Sequence, residues 1–149
     1  MKIKIYKLLL VTGMLAIAAI AGCKKDDPNQ FLKDNVTVIG YNPVIASFTT
    51  VPTTTTVAAG GTVKLDLRYW SDDAIDKVNL NATIGAAAKS TVLTTPYQKA
   101  YSTVSRTDSL NMQYTVPAGT GSGTTIVIEA QVVNKNTLTA ASTISLKVQ

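Results

Sequence analysis

Five stretches of this chain alternate apolar and polar residues with a period of two, and that leaves little freedom in what it can fold into. Val63, Leu65, Leu67 and Tyr69 alternate with Lys64, Asp66 and Arg68. Val78, Leu80, Ala82 and Ile84 alternate with Asn79, Asn81 and Thr83, and Leu110, Met112, Tyr114 and Val116 with Asn111, Gln113 and Thr115. Ile126, Ile128, Ala130 and Val132 alternate with Val127, Glu129 and Gln131, and Ile144, Leu146 and Val148 with Ser145 and Lys147. Successive side chains of a strand point to opposite faces, so each set predicts one face on a core and one in water, as antiparallel sheets allow. Val44–Phe48, Thr91–Thr94 and Tyr97–Thr103 are weaker candidates, and no stretch carries a helical apolar stripe.

Turn chemistry separates the strands at Gly60-Gly61, Ser71-Asp72-Asp73, Gly85, Pro96, Pro117 to Gly123, and Asn134-Lys135-Asn136. About seven strands in about a hundred residues predict an all-β fold, an immunoglobulin-like antiparallel β-sandwich over residues 43–149. A small barrel is the alternative.

The N-terminus has a different character. Lys2, Lys4 and Lys7 precede an apolar run, Leu8 to Ala21, that ends in small residues and is short for a bilayer span. This is the layout of an export signal. Ile20-Ala21-Gly22-Cys23 resembles a bacterial lipobox, with Ile20 where leucine is commoner. The resemblance implies cleavage between Gly22 and Cys23 and a diacylglycerol or acyl lipid on Cys23, the sole cysteine. Each buried methylene contributes on the order of 0.8 kcal/mol, so two or three chains anchor a protein durably. The following Lys24-Lys25-Asp26-Asp27 resembles the start of surface lipoproteins of the Bacteroidetes group, in which a lysine and two acids (here Lys25, Asp26 and Asp27) act as a surface-export signal. The expected organisation is a signal peptide at 1–22, a lipidated cysteine and flexible linker at 23–42, and the β domain at 43–149. As a coil that linker spans roughly 25 Å root-mean-square, although Val36–Ile39 is apolar enough to pack on the domain.

A second resemblance covers Thr62 to Val148, which is similar to the immunoglobulin-like or cadherin-like domains of bacterial surface lipoproteins and adhesins. The Val63–Tyr69 strand, the acidic turn after it, Asp76–Leu80, the Pro96-Tyr97 pair and Thr125–Asn134 carry it. One departure is the late turn Asn134-Lys135-Asn136-Thr137, which has neither the carboxylate nor the glycine common there.

Charge and composition exclude some functions. Of 14 basic residues, three lie in the expected signal peptide, leaving 11 against 9 acidic, a balance that gives no reason to expect nucleic acid as a partner. Histidine is absent, which removes the commonest general base and metal ligand. A Ser-His-Asp or Cys-His arrangement is therefore impossible. Gly119, Gly121 and Gly123 sit between strands and form no phosphate loop. The expectation is that the chain is not an enzyme and has no cofactor beyond the lipid on Cys23.

The remaining candidates concern binding. Trp70, Tyr97 and Tyr101 form an aromatic set able to stack on sugar rings, with Tyr97 and Tyr101 expected on one face of one strand. Asp108-Ser109-Leu110 resembles a Bacteroidetes O-glycosylation signal, with Ser109 pointing outward. Asp72, Asp73 and Asp76 are candidate calcium ligands, against the reading that they cap a turn. The sequence thus predicts a non-catalytic binding, adhesion or scaffold module, lipid-anchored in the outer membrane and exposed at the cell surface. The alternatives are a carbohydrate-binding accessory lipoprotein of a glycan-uptake system, or a structural subunit docked on an envelope protein complex through a sheet edge.

Overall fold

The computed structural model describes residues 27–149. The signal peptide, Gly22, Cys23, and Lys25 and Asp26 of the export signal lie outside the described residues. Asp27 is described: its carboxylate accepts hydrogen bonds from Lys33 Nζ and, at 2.9 Å, from the Asn29 amide. The Lys33 ammonium, then that amide, hold it below the ordinary carboxylate range.

The expected linker contains a short helix, α1 (Gln30–Asn35), which the sequence pattern did not predict. It buries none of its residues, so no apolar stripe marks it. Local bonds hold it instead: Gln30 Nε2 donates to Asp34 Oδ1 at 2.8 Å, and Asn35 Nδ2 to the Phe31 carbonyl at 2.8 Å. Among the described residues, no helix is long and apolar enough to cross a membrane.

The second compact unit runs from Ile39 to Gln149 and is an all-β sandwich. Its strands are β1 (Val44–Val51), β2 (Thr56–Val57), β3 (Thr62–Trp70), β4 (Ile75–Ile84), β5 (Ser90–Pro96), β6 (Tyr101–Ser102), β7 (Thr107–Thr115), β8 (Thr125–Asn134) and β9 (Thr139–Val148). Seven of them are seven residues or longer, and all five strongly alternating stretches fall within strands except Val116, just after β7. One sheet has the order β1-β3-β7-β6 and the other β2-β9-β8-β4-β5. Every pairing is antiparallel except β2 with β9.

The core lies between the sheets and is built by the predicted alternation. Ile126, Ile128, Ala130 and Val132 of β8 have no exposed surface, because β8 is flanked by β4 and β9 and faces the other sheet. Leu65, Leu67, Tyr69, Val78, Leu80, Met112, Tyr114, Val116, Leu146 and Val148 join them, with Phe48, Val57, Val63, Ile75 and Ala82. Burying each large side chain contributes about 1.5–3 kcal/mol. Asn81 breaks the alternation, since it belongs to the outer set yet is buried. A bulge lies beside it, with the register passing from Leu80–Leu93 to Asn81–Thr91. Its amide donates to Glu129 Oε1 at 2.9 Å and accepts from Thr91 Oγ1 at 2.7 Å, which satisfies the buried group.

Residues 39–42 belong to this unit rather than to the linker. Asn136 Nδ2 donates to the Ile39 carbonyl at 3.3 Å, Asn134 Nδ2 to the Tyr41 carbonyl at 3.0 Å, and the Tyr41 amide to Asp73 Oδ2. Gly40 makes this possible: its φ is +127°, and a Cβ there would collide with Asn136 Nδ2 and Asp73 Oδ2.

Candidate functional site

One end of the β1-β3-β7-β6 sheet opens into a cleft of about 690 Å3, lined by Trp70, Ser71, Asp72, Tyr101, Arg106 and Asp108 among others. Three local features shape it. β3 ends at Trp70, so the chain leaves the sheet and turns through Ser71 and Asp72 at the rim. Ala46 is the extra residue of a β1 bulge between Ile45 and Ser47 and also lines the cleft. Bulges of this kind redirect side chains at the edge of a sheet. The tight turn from β6 to β7 places Arg106 in the left-handed region at φ +55°, with its amide donating to the Ser102 carbonyl at 2.8 Å. A non-glycine residue held there is strained by the surrounding bonds.

Asp108 organises the floor. It is 5% exposed and pairs across the sheet with Tyr69 on one side and Tyr101 on the other. Its Oδ2 accepts from the Tyr97 hydroxyl at 3.1 Å and its Oδ1 from the Ala100 amide at 2.8 Å. Burial pushes the Tyr69 hydroxyl up to about 12, with the Asp108 charge and then Tyr97 adding to it. Burial also raises Tyr97, helped by its bond to Asp108. Both phenols are therefore neutral through the ordinary pH range.

Trp70 and Tyr101 line the cleft at 38% and 48% exposure, so two of the three aromatic candidates are brought together. Tyr97 is not with them. The expectation of a single strand from Tyr97 to Thr103 is corrected: the Tyr97 amide still bonds to the Asp76 carbonyl of β4 at 2.9 Å, and strand pairing resumes only at Tyr101. Residues 97–100 thus carry the chain from one sheet to the other, and Tyr97 packs against the core with its hydroxyl on Asp108. Sequence reasoning missed Arg106 and Asp108 as cleft residues. Asp108 carried a signal, being an acid two residues before the alternating run that opens at Leu110.

The three calcium candidates are separated by their partners. Asp72 lines the cleft, Asp73 Oδ2 accepts from Asn136 Nδ2 at 2.9 Å, and Asp76 approaches Lys77 Nζ at 3.7 Å. Among the described residues, no three or more His, Cys, Asp or Glu side chains come together as a metal-holding group. Ser109 lies opposite Arg68 on the outer face of β7 and is half-buried. A second concavity, of about 490 Å3, lies over that outer face between Lys64, Asp66, Arg68, Asn111 and Gln113. It offers no aromatic ring, and Arg68 Nε already bonds both Asp66 oxygens at 3.1 and 2.9 Å.

No protein-family model matches the chain, and no curated protein matches it. Among solved structures it is similar to a superoxide reductase (neelaredoxin) from Ignicoccus hospitalis, with a TM-score of 0.50 at 9% identity, over 74% of this chain and 82% of that one. At that identity the likeness concerns the fold alone. It still corrects one expectation. The reading that this chain is not an enzyme is overturned, because a protein of similar β architecture is a reductase. The missing histidine removes histidine-based mechanisms and no more.

Proposed function

We propose that this protein is a lipid-anchored, outer-membrane, surface-exposed lipoprotein whose sandwich binds carbohydrate in the cleft at Trp70 and Tyr101. The observation that carries the reading is the company those rings keep: an exposed indole and phenol share one cleft with Asp72, Arg106 and hydroxyl-bearing Ser71, Ser105 and Thr107. A pyranose has apolar C–H faces and a rim of hydroxyls, so it suits aromatic faces bordered by carboxylate and guanidinium groups. An anchor at Cys23 would confine such a site near its targets and let modest affinity suffice.

The sandwich is further read as immunoglobulin-like. Its first strand is divided between the sheets, with β1 beside β3 and β2 running parallel to β9, and a four-stranded sheet faces a five-stranded one. This supports the resemblance drawn from Thr62 to Val148.

Titration calorimetry of the protein against a panel of neutral and acidic oligosaccharides tests the binding. Binding at millimolar affinity or tighter is expected, with quenching of the single tryptophan and loss of about tenfold or more on Trp70→Ala or Tyr101→Ala. No heat from any member of the panel, or binding indifferent to both substitutions, sinks the proposal. For the anchor, Cys23→Ala is expected to release the protein from the membrane fraction.

A further inference from the structure

One side of the sandwich is left open. In the first sheet, β6 pairs with β7 only at Asp108 and Thr107. From Ser109 to Thr115, the edge of β7 away from β3 has no strand beside it among the described residues. In the second sheet, β5 is the edge strand, and six of its seven residues are exposed. Between these two edges runs a groove of about 400 Å3 lined by Ala82, Ile84, Val92, Leu93, Tyr114 and Pro117 among others. Leu93 pairs with core residue Leu80 yet stays 41% exposed, and Val92, the extra residue of the β5 bulge, is 46% exposed. On the opposite side the gap is closed by β1 lying against β9.

Sheet edges of soluble proteins are commonly guarded by charge, because free N–H and C=O groups pair with any strand that reaches them. Here Ser90–Pro96 and Ser109–Thr115 contain no charged residue at all. An uncharged edge meets its own copy without any like-charge pair, which is the self-complementarity a two-fold interface needs. A two-fold axis normal to the sheets would lay β7 antiparallel to its counterpart and bring β5 beside β5 in the same motion. Val92 and Leu93 would then be covered by the partner's equivalents. A charged partner strand would find no opposite charge on either edge.

We propose that this open side is an interface with a second copy of the chain, made by antiparallel pairing of the free β7 edge along Ser109–Thr115 and sealed by Val92 and Leu93. The interface is independent of what the cleft binds.

Sedimentation of the purified full chain in detergent, from about 1 µM to about 1 mM, tests it over the affinity range usual for such contacts. A monomer–dimer equilibrium is expected. Val92→Lys should weaken it about tenfold or more through like-charge apposition at the axis, and mixing Val92→Lys with Val92→Glu chains should restore it. A chain that stays monomeric throughout overturns the proposal, as does a dimer unchanged in either charge variant or a mixture that does not re-form. Hydrogen exchange supplies a readout that needs no variant. Ser109–Thr115 amides gaining protection with concentration support the interface, and concentration-independent exchange there refutes it.

Discussion

Two polar clusters on this sandwich differ in whether their donors and acceptors are closed on one another. On the outer face of the five-stranded sheet, Thr94 Oγ1 donates to Asn79 at 3.0 Å and Asn79 to Gln131 at 3.1 Å. Beside them Thr91, Asn81, Glu129 and Lys89 form a second chain, with Lys89 Nζ reaching both Glu129 oxygens at 3.0 and 3.1 Å. Donors and acceptors there answer one another across β5, β4 and β8. At the cleft, by contrast, the Asp108 carboxylate is occupied below, while Trp70, Tyr101, Asp72 and Arg106 face open space. A closed network fixes register, and a partly open one leaves polar groups facing solvent. Among the described residues, the two clusters thus differ in how far their polar groups are satisfied by one another.

Experiments can break that contrast or sharpen it. The largest effect should come from the core that both clusters share. Ile128→Ala, at a site with no exposed surface, is expected to lower stability by about 3–4 kcal/mol in urea denaturation. Both clusters should be lost in the same transition. Next, Asp108→Ala removes the acceptor of the Tyr97 hydroxyl and the Ala100 amide and should cost about 2–3 kcal/mol. Hydrogen exchange should then speed up across residues 97–102 more than at residues 79–81; a uniform change would erase the distinction. Asn81→Ala strips the centre of the closed network and should cost about 1–2 kcal/mol while leaving affinity at the cleft unchanged.

Smaller effects come from backbone strain and from a single ion pair. Arg106 and Thr137 are the non-glycine residues with positive φ among the described residues, at +55° and +69°. Thr137, in the β8–β9 turn, is β-branched and poorly suited to that conformation. Thr137→Gly should raise stability by about 0.5–1 kcal/mol in thermal melts with no effect on binding. Arg106→Gly should relieve similar strain but weaken the ligand, because the guanidinium leaves the cleft. Last, burial alone would raise the Glu129 carboxyl, but hydrogen bonds from Lys89 and Asn81 and the Lys89 charge outweigh it and set it below its ordinary 4.5. That contribution is present above about pH 4.5 and is lost as pH falls through the lowered folded value. Glu129→Gln should flatten this acid limb by under about 1 kcal/mol, Lys89 being largely in solvent.

By itself the sequence determined the five strongly alternating strands, their inward faces and the all-β class, while sandwich and barrel both stayed open. Period-two alternation is a local property, and burying one face of each strand leaves few ways to stack them. Leu65, Leu67 and Leu80 were legible as core because each sits mid-strand with polar neighbours. Trp70 and Tyr101 were legible as aromatic candidates by residue type alone. Helix α1 was not legible, because local hydrogen bonds rather than a buried stripe hold it.

Only the tertiary structure decided the rest. It separated Tyr97 from Tyr101 because the chain changes sheets between them, and it joined Trp70 to Arg106 and Asp108 across β3 and β7. It drew Ile39–Asn42 into the domain through Asn134 and Asn136, nearly a hundred residues away. It also left β7 uncovered because β6 is only two residues long. Each of these is a long-range relation, set by which strands pair and where they end, and the local pattern of apolar and polar residues carries no record of it.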